Sequence, residues 1–184
     1  KIVKEVETAK NSKGANNPLK LYMPELTDLS GVNADTPFFC LAGRIEDQKG
    51  VNIYAKGILE FYKNYKGTNY PVFYIQGIGA NPKYMQYFLD AKTELAKTTP
   101  KAAKRMVAAG LFSEPGRYDG CKMMSDFTPM PSWFEPFGLV HKENAKFNGS
   151  IPIPNEVGGL TANLTNEINA LFVKFQHRFD PKID

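Results

Sequence analysis

The sequence is poor in the residues and segments that mark several large classes of protein. It has only two cysteines and two histidines and no Cys-x-x-Cys pair, so a structural zinc site is not expected. No apolar run approaches the roughly 20 residues of a membrane-spanning helix, and the polar segment 1–13 lacks a signal-peptide pattern. The net charge is only +4, and no dense basic stripe is interleaved with aromatic residues, which argues against nucleic-acid binding. We therefore expect a cytoplasmic protein with no metal, no membrane contact and two reduced, buried thiols, Cys40 and Cys121.

The length and composition of the sequence suit one globular domain. The chain has 184 residues, of which 42% are hydrophobic and 23% are charged, as in an ordinary soluble protein with a core. Residues 1–36 are predicted to form an irregular N-terminal arm, because 11–18 is polar and rich in Gly and Asn, with a short extended piece at 19–23. Residues 37–184 are predicted to form a single domain. We expect a piece of a longer polypeptide, because the sequence does not begin with Met.

Apolar runs and helical periodicities alternate from residue 37 onwards. Short apolar runs bounded by turn residues predict buried strands at 37–42 and 71–75, and two further strands at 126–130 and 151–153. Helical spacing predicts helices at 51–65, 81–97, 139–147 and 163–179, with a short helix at 101–109. This alternation is typical of an α/β fold, in which a parallel sheet is covered by helices on both faces. Ligands of such sheets bind at the carboxyl ends of the strands, where this chain has loops at 43–44, 77–79, 132–138 and 157–159.

The loop before the predicted helix 139–147 is the best candidate for a binding site. It joins a strand to a helix, so free backbone N–H groups and the positive end of the helix dipole point toward any ligand there. Such a helix start binds anions. Arg44 and Lys49, which follow the first predicted strand, are fixed cations that can meet the same anion. A diphosphate held in this way suggests a nucleotide-sugar enzyme, although Arg44 and Lys49 also fit a plain helix start on the surface.

Three motifs, in matching order and spacing, carry a family resemblance. Residues 43–50 read GRIEDQKG and resemble the GRxxxQKG element of glycogen and starch synthases. Residues 131–139 read PSWFEPFGL and resemble their PSxFEPFGL element, and residues 149–160 read GSIPIPNEVGGL and resemble their GxxPIxxxxGGL element. The resemblance covers about 37–160. It implies a Rossmann-like parallel sheet flanked by helices, which would be the C-terminal, nucleotide-sugar-binding half of a retaining GT-B glycosyltransferase.

The resemblance implies catalytic roles for three side chains. Arg44 and Lys49 would clamp the diphosphate of the donor and stabilise the charge that grows as the glycosidic bond breaks. Glu135 would face the donor sugar, and Glu143, eight positions later, would bind the ribose hydroxyls. On spacing alone, Glu143 is equally consistent with a solvated helix residue, and Glu135 with a cap near Gly138.

Further substrate contacts follow from the same resemblance. Free backbone N–H groups would bind the sugar and phosphates at Gly138, Leu139 and Val140, where glycine permits close approach. A similar contribution would come from Gly158 and Gly159. The aromatic ring of Phe112 would lie against the base. A plain turn also accounts for Gly158 and Gly159. Trp133 and Phe137 are interpreted as packing residues of the loop. The two histidines are interpreted as surface or packing residues rather than catalytic bases.

The implied reaction is transfer of glucose from ADP-glucose or UDP-glucose to an α-1,4-glucan, with the acceptor bound by an N-terminal domain that this sequence lacks. No cofactor is implied, and the isolated chain would be inactive. Two departures from the family pattern keep alternatives open: Ala162 stands where the family usually has an acidic residue, and 106–124 fits poorly. The alternatives are another retaining GT-B glycosyltransferase and a degenerate, non-catalytic GT-B-like domain with a regulatory or assembly role.

Overall fold

The computed structural model describes Lys4, Val6 and residues 20–78, 83–110, 123–147 and 149–173. Within these residues a six-stranded sheet has the order β1-β4-β3-β2-β5-β6. The strands are β1 (Lys20–Tyr22), β2 (Phe38–Arg44), β3 (Val72–Ile78), β4 (Met106–Gly110), β5 (Phe127–Met130) and β6 (Ile151–Pro154). The helices are α1 (Val51–Asn64), α2 (Lys83–Thr98), α3 (Pro100–Arg105), α4 (Leu139–Phe147) and α5 (Gly158–Asn163), with 3-10 turns at Pro24–Leu26 and Asp47–Lys49. In the part of the chain described, no helix is long and apolar enough to cross a lipid bilayer.

The strand order leaves an open crevice beside β2. Strands β2 to β6 run parallel to one another, whereas β1 pairs with β4 in the antiparallel direction. From β2 the sheet extends through β3 and β4 on one side, and through β5 and β6 on the other. Connections from β2 and β5 therefore diverge, and a crevice opens at this topological switch point. The predicted fold class, a Rossmann-like parallel sheet flanked by helices, is confirmed.

The sheet buries an apolar cluster on each face. Because successive strand residues point to opposite faces, Leu41 belongs to the cluster under α1 and α2, while Cys40 belongs to a second cluster with Tyr74. This burial on both faces explains why residues 37–42 are apolar at consecutive positions. Cys40 is buried as expected, with 2% of its surface exposed, and Cys121 lies outside the described residues.

The predicted short helix at 101–109 is only partly correct. Helix α3 ends at Arg105, and Met106–Gly110 forms β4, in which every residue is buried. The sequence MVAAG has no polar alternation and few β-branched residues, so its pattern fits a buried helix as well as a buried strand. Contacts with neighbouring strands make this segment a strand, because β4 pairs with both β3 and β1. Its partner β1 confirms the extended piece expected at 19–23.

The predicted helix at 163–179 is wrong over the part that the structure describes. Helix α5 ends where this helix was expected to begin, and residues 164–173 form turns and isolated bridges. The side-chain oxygens of Asn166 and Asn169 accept hydrogen bonds from backbone N–H groups of this segment, at 2.8 and 2.7 Å. Such local bonds compete with the hydrogen bonds of a helix. The remainder, 174–179, lies outside the described residues.

Candidate functional site

A pocket of about 260 Å³ lies in the crevice between the carboxyl ends of β2 and β5. The last residues of both strands line it, together with side chains from the loops that follow them. Predicted site residues from three separate segments meet here, namely Arg44, Lys49, Glu135, Val140 and Glu143. Lys49 and Glu135 are 86 positions apart in the chain, and the switch-point topology brings them together.

The segment that carries Lys49 is fixed directly onto the loop that carries Glu135. The carbonyl of Gln48 accepts a hydrogen bond from the N–H of Trp133 at 2.9 Å, and Nε2 of Gln48 donates to the carbonyl of Phe134 at 3.4 Å. Gly50 has a φ of +61°, and a Cβ at this position would overlap the carbonyl of Pro131. Only glycine fits both that backbone conformation and that approach. The GRxxxQKG-like and PSxFEPFGL-like motifs are therefore one packed unit.

The Glu135 carboxylate joins a cation to the start of α4. Its Oε2 lies 2.5 Å from Nζ of Lys49, and the two side chains are 13% and 21% exposed. Its Oε1 accepts a hydrogen bond from the N–H of Gly138 at 3.2 Å. The cap near Gly138 that spacing allowed is thus present, and the same carboxylate also pairs with Lys49.

Arg44 is in a different electrostatic situation from Lys49. Its Nη1 lies 3.3 Å from Oε2 of Glu46, but its side chain is 62% exposed. Water screens such a pair, so the interaction is weak. Arg44 therefore stands at the mouth of the pocket, whereas Lys49 is held inside it.

The start of α4 has the features expected of an anion-binding helix terminus. Gly138 has a φ of +63°, and a Cβ there would lie 2.5 Å from the Leu160 side chain. The following residues begin the helix, so their N–H groups have no partner within it. Val140 lines the pocket, and the Leu139 side chain is 58% exposed.

Gly158 and Gly159 lie behind the loop and support it. The N–H of Gly159 donates to the carbonyl of Glu135 at 2.7 Å. A Cβ on Gly158 would lie 2.7 Å from the same carbonyl oxygen, and a Cβ on Gly159 would overlap the carbonyl of Pro136. Close packing against the loop backbone therefore requires both glycines. Their contact with a ligand stays a prediction.

Two asparagines complete the support of the loop, and sequence reasoning missed both. Asn155 is 5% exposed, and its Nδ2 donates to the carbonyl of Ser132 at 3.1 Å. Nδ2 of Asn163 donates to the carbonyl of Phe137 at 3.4 Å. A polar residue directly after the strand β6 was the available signal for Asn155, since a buried amide needs partners.

Other sequence predictions have mixed outcomes. The Phe137 side chain is 72% exposed, so its interpretation as a packing residue is wrong; it follows the tightly held Glu135 and Pro136 and points away from the loop's supports. Phe112, Gly79 and His177 lie outside the described residues. In the described ranges, no group of His, Cys, Asp or Glu side chains is arranged to hold a metal ion, and independence of metal stays a prediction.

His141, on the first turn of α4, is a packing residue. It is 7% exposed, and its buried Nδ1 has no hydrogen-bond partner among the described residues. Burial lowers the pKa of His141 from its usual 6.5, and Lys142 adds to this, while the Gly138 backbone and Glu135 act in the opposite direction. Burial prevails because the charged imidazolium loses its hydration, so the ring is neutral at pH 7.

Comparison with known proteins agrees with this geometry. No protein-family model matches the chain. It is 31% identical to the glycogen synthase of Exiguobacterium sibiricum over 158 residues, which are 86% of this chain and 28% of that protein. The C-terminal domain of LpcC, a group 1 family glycosyl transferase of Francisella tularensis, matches with a TM-score of 0.59 and 18% identity, over 76% of this chain and 68% of that one. Anabaena HepE, solved with UDP and glucose, matches with a TM-score of 0.56 and 16% identity, over 77% of this chain and 35% of that one.

The chain is a glycogen synthase homologue with the fold of a GT-B glycosyltransferase domain. The sequence match agrees with the resemblance that the three motifs carry. The matched part of the chain corresponds to 28% of the length of that glycogen synthase.

The packing of Gly159 against the loop gives a stability prediction for the glycogen synthase homologue. Gly159→Ala should lower the free energy of unfolding by about 1–3 kcal/mol, because the new methyl group forces the loop backbone away. Gly57→Ala is the control: nothing lies within 4 Å of a Cβ there, so this change in α1 should raise stability by up to about 1 kcal/mol. Urea unfolding followed by circular dichroism measures both. Equal effects of the two changes would contradict the role of Gly159.

The burial of His141 gives a pH prediction. Because its pKa in the folded protein lies below the unfolded value of 6.5, the unfolded chain binds the proton first as the pH falls. The stability contributed by neutral His141 is therefore present above pH 6.5 and is lost as the pH falls through the lower, folded pKa. Urea midpoints should fall more steeply with decreasing pH in the wild type than in His141→Gln. Parallel pH profiles would show that His141 stays accessible to protons in the folded state.

Proposed function

We propose that this chain is the donor-binding domain of a retaining glucosyltransferase. The reaction would transfer glucose from ADP-glucose or UDP-glucose to an α-1,4-glucan. The observation that carries the proposal is the pocket itself, in which Arg44, Lys49, Glu135 and Glu143 meet beside the start of α4. Cations and free N–H groups suit a diphosphate, and carboxylates suit sugar hydroxyls.

The diphosphate would lie between the two cations and the N-terminus of α4. As the glycosidic bond breaks, negative charge grows on the leaving nucleoside diphosphate. Arg44 and Lys49, together with the N–H groups at Leu139 and Val140, would stabilise that charge at fixed positions. The N–H of Gly138 donates to the Glu135 carboxylate and would contribute by holding that side chain in place. Stabilisation by groups already in place costs little reorganisation during the reaction.

The two carboxylates would orient the sugars of the donor. Glu135 lies in the loop, on the side of Lys49, and would accept hydrogen bonds from the glucose hydroxyls. Glu143 lies within α4, on the pocket wall, and would accept from the ribose. A carboxylate can bind two neighbouring hydroxyls at once. We also propose that the aromatic ring of Phe112 would lie against the base of the nucleotide.

The comparisons support the general part of this proposal, a donor-binding domain of a GT-B glycosyltransferase. The sequence relative is a glycogen synthase, and the structural relative HepE was solved with UDP and glucose. The matched region is 28% of the relative's length. We therefore propose, beyond that match, that a separate domain binds the glucan acceptor. We expect the isolated chain to bind nucleotides without transferring glucose.

A non-catalytic GT-B-like domain is the second candidate. It is favoured by the charge balance of the pocket, because Arg44 and Lys49 each already pair with a carboxylate. Such a domain would act in regulation or assembly and would bind no nucleotide.

Calorimetric titration of the chain with ADP, UDP, their glucose conjugates and GDP-mannose separates the candidates. The wild type should bind at least one nucleotide, and Lys49→Ala should weaken that binding roughly tenfold or more, because a charge-assisted contact to phosphate is lost. Lys63→Ala is the control, since Lys63 pairs with Glu60 on the exposed face of α1. In the full-length enzyme, Lys49→Ala or Arg44→Ala should lower turnover by roughly a hundredfold or more.

Absence of nucleotide binding in the wild type would favour the non-catalytic domain. Unchanged affinity in Lys49→Ala would remove Lys49 from the diphosphate site. Tighter binding of GDP-mannose than of either glucose donor would indicate a different retaining glycosyltransferase.

A further inference from the structure

We infer that the Lys49–Glu135 ion pair must open for a diphosphate to bind, and that it thereby makes the pocket prefer a nucleotide sugar over a bare nucleoside diphosphate. This inference rests on the proposed function. It starts from the ion pair itself, in which the cation proposed for the phosphate and the carboxylate proposed for the sugar bind each other.

The geometry identifies Lys49 as the partner that moves. Glu135 is fixed from several sides: its Oε1 accepts from the Gly138 N–H, and its carbonyl accepts from the Gly159 N–H. Lys49 carries its ammonium on a flexible four-carbon chain. The ammonium can therefore turn from Oε2 of Glu135 to a phosphate oxygen while the carboxylate keeps its place.

The burial of the pair makes its opening costly. The Lys49 and Glu135 side chains are 21% and 13% exposed, so water screens their attraction less than it screens the exposed pair of Arg44 and Glu46. A bare diphosphate must take Lys49 away and then lie near an uncompensated carboxylate, which repels it. Lys49, and not Arg44, therefore controls the selectivity.

A sugar on the diphosphate removes this penalty. Once Lys49 turns to the phosphate, Oε2 of Glu135 can accept hydrogen bonds from another group. Because an ionised carboxylate can only accept hydrogen bonds, it needs a donor there. Glucose hydroxyls would supply the donors. The donor substrate therefore satisfies both former partners, whereas the nucleoside diphosphate product satisfies only Lys49 and is released more readily.

Calorimetry of the chain with UDP against UDP-glucose, and with ADP against ADP-glucose, tests the inference. Glu135→Gln keeps the size of the side chain and an oxygen for the Gly138 N–H, and removes the charge. It should bind the bare nucleotide roughly tenfold more tightly, the scale of one charge-assisted hydrogen bond. The preference for the nucleotide sugar should fall by at least the same factor. Glu60→Gln, which removes the same charge from the Lys63 pair on α1, should change neither.

The Lys49→Met background separates opening of the pair from simple repulsion. There, Glu135→Gln can remove only the repulsion between carboxylate and diphosphate, so its gain in affinity should be smaller than in the presence of Lys49. An equal gain in both backgrounds, or no gain in either, overturns the inference while nucleotide binding stands. Binding of UDP or ADP by Glu135→Gln, where the wild type binds only the glucose conjugates, supports it. If no variant binds any of the four nucleotides, the proposed function is overturned and the inference with it.

Discussion

The site depends on the loop at 131–138 being held from behind. Carbonyl oxygens along the loop each accept a hydrogen bond from a different segment: that of Ser132 from Asn155, that of Phe134 from Gln48 and that of Glu135 from Gly159. Carbonyls that are bonded to other segments restrict the conformations open to the loop. The Glu135 carboxylate and the N–H groups of α4 therefore occupy fixed positions before any ligand arrives, which lowers the cost of ordering them on binding.

The topology of the sheet explains why these distant segments meet. Both the Gln48 segment and the 131–138 loop leave the carboxyl ends of neighbouring parallel strands, β2 and β5, and β6 supplies Asn155 at the same edge. With the order β4-β3-β2-β5-β6, β2 and β5 flank the point at which the order of the strands reverses. The connections that leave β2 and β5 diverge there, and the pocket opens between them. Motifs that are separate in sequence become one site because the strands before them are adjacent.

Much of this could be predicted from the sequence, and the failures have physical causes. The strands β2, β3, β5 and β6 and the helix α4 are marked by apolar runs and turn residues, and three motifs place the polar side chains at one edge of the sheet. The strand β4 was missed because its small apolar residues fit either structure locally, and only its neighbours decide. The helix expected at 163–179 is absent from 164–173, where the side chains of Asn166 and Asn169 bond to backbone N–H groups of the same segment, which periodicity does not reveal.

The supporting residues were harder to predict than the site residues. Glycine patterns gave Gly158 and Gly159, but as ligand contacts, whereas their missing Cβ atoms make room for the carbonyls of Glu135 and Pro136. Asn155 stands at an unspecified position of the third motif, because its role is set by how close the end of β6 lies to the loop at 131–138. Local sequence therefore reports the groups that line the pocket better than the groups that hold them in place.

Charge balance completes the physical account of the pocket. Two cations beside the positive end of a helix would repel each other and that helix end if nothing offset them. Glu46 offsets Arg44 in solvent, and Glu135 offsets both Lys49 and the Gly138 N–H inside the pocket. These carboxylates therefore lower the repulsion that the folded pocket would otherwise contain. Under the proposed function, a phosphate would take Lys49 from Glu135 rather than meet an unpaired cation, so the proposed selectivity would follow from contacts that already belong to the folded pocket.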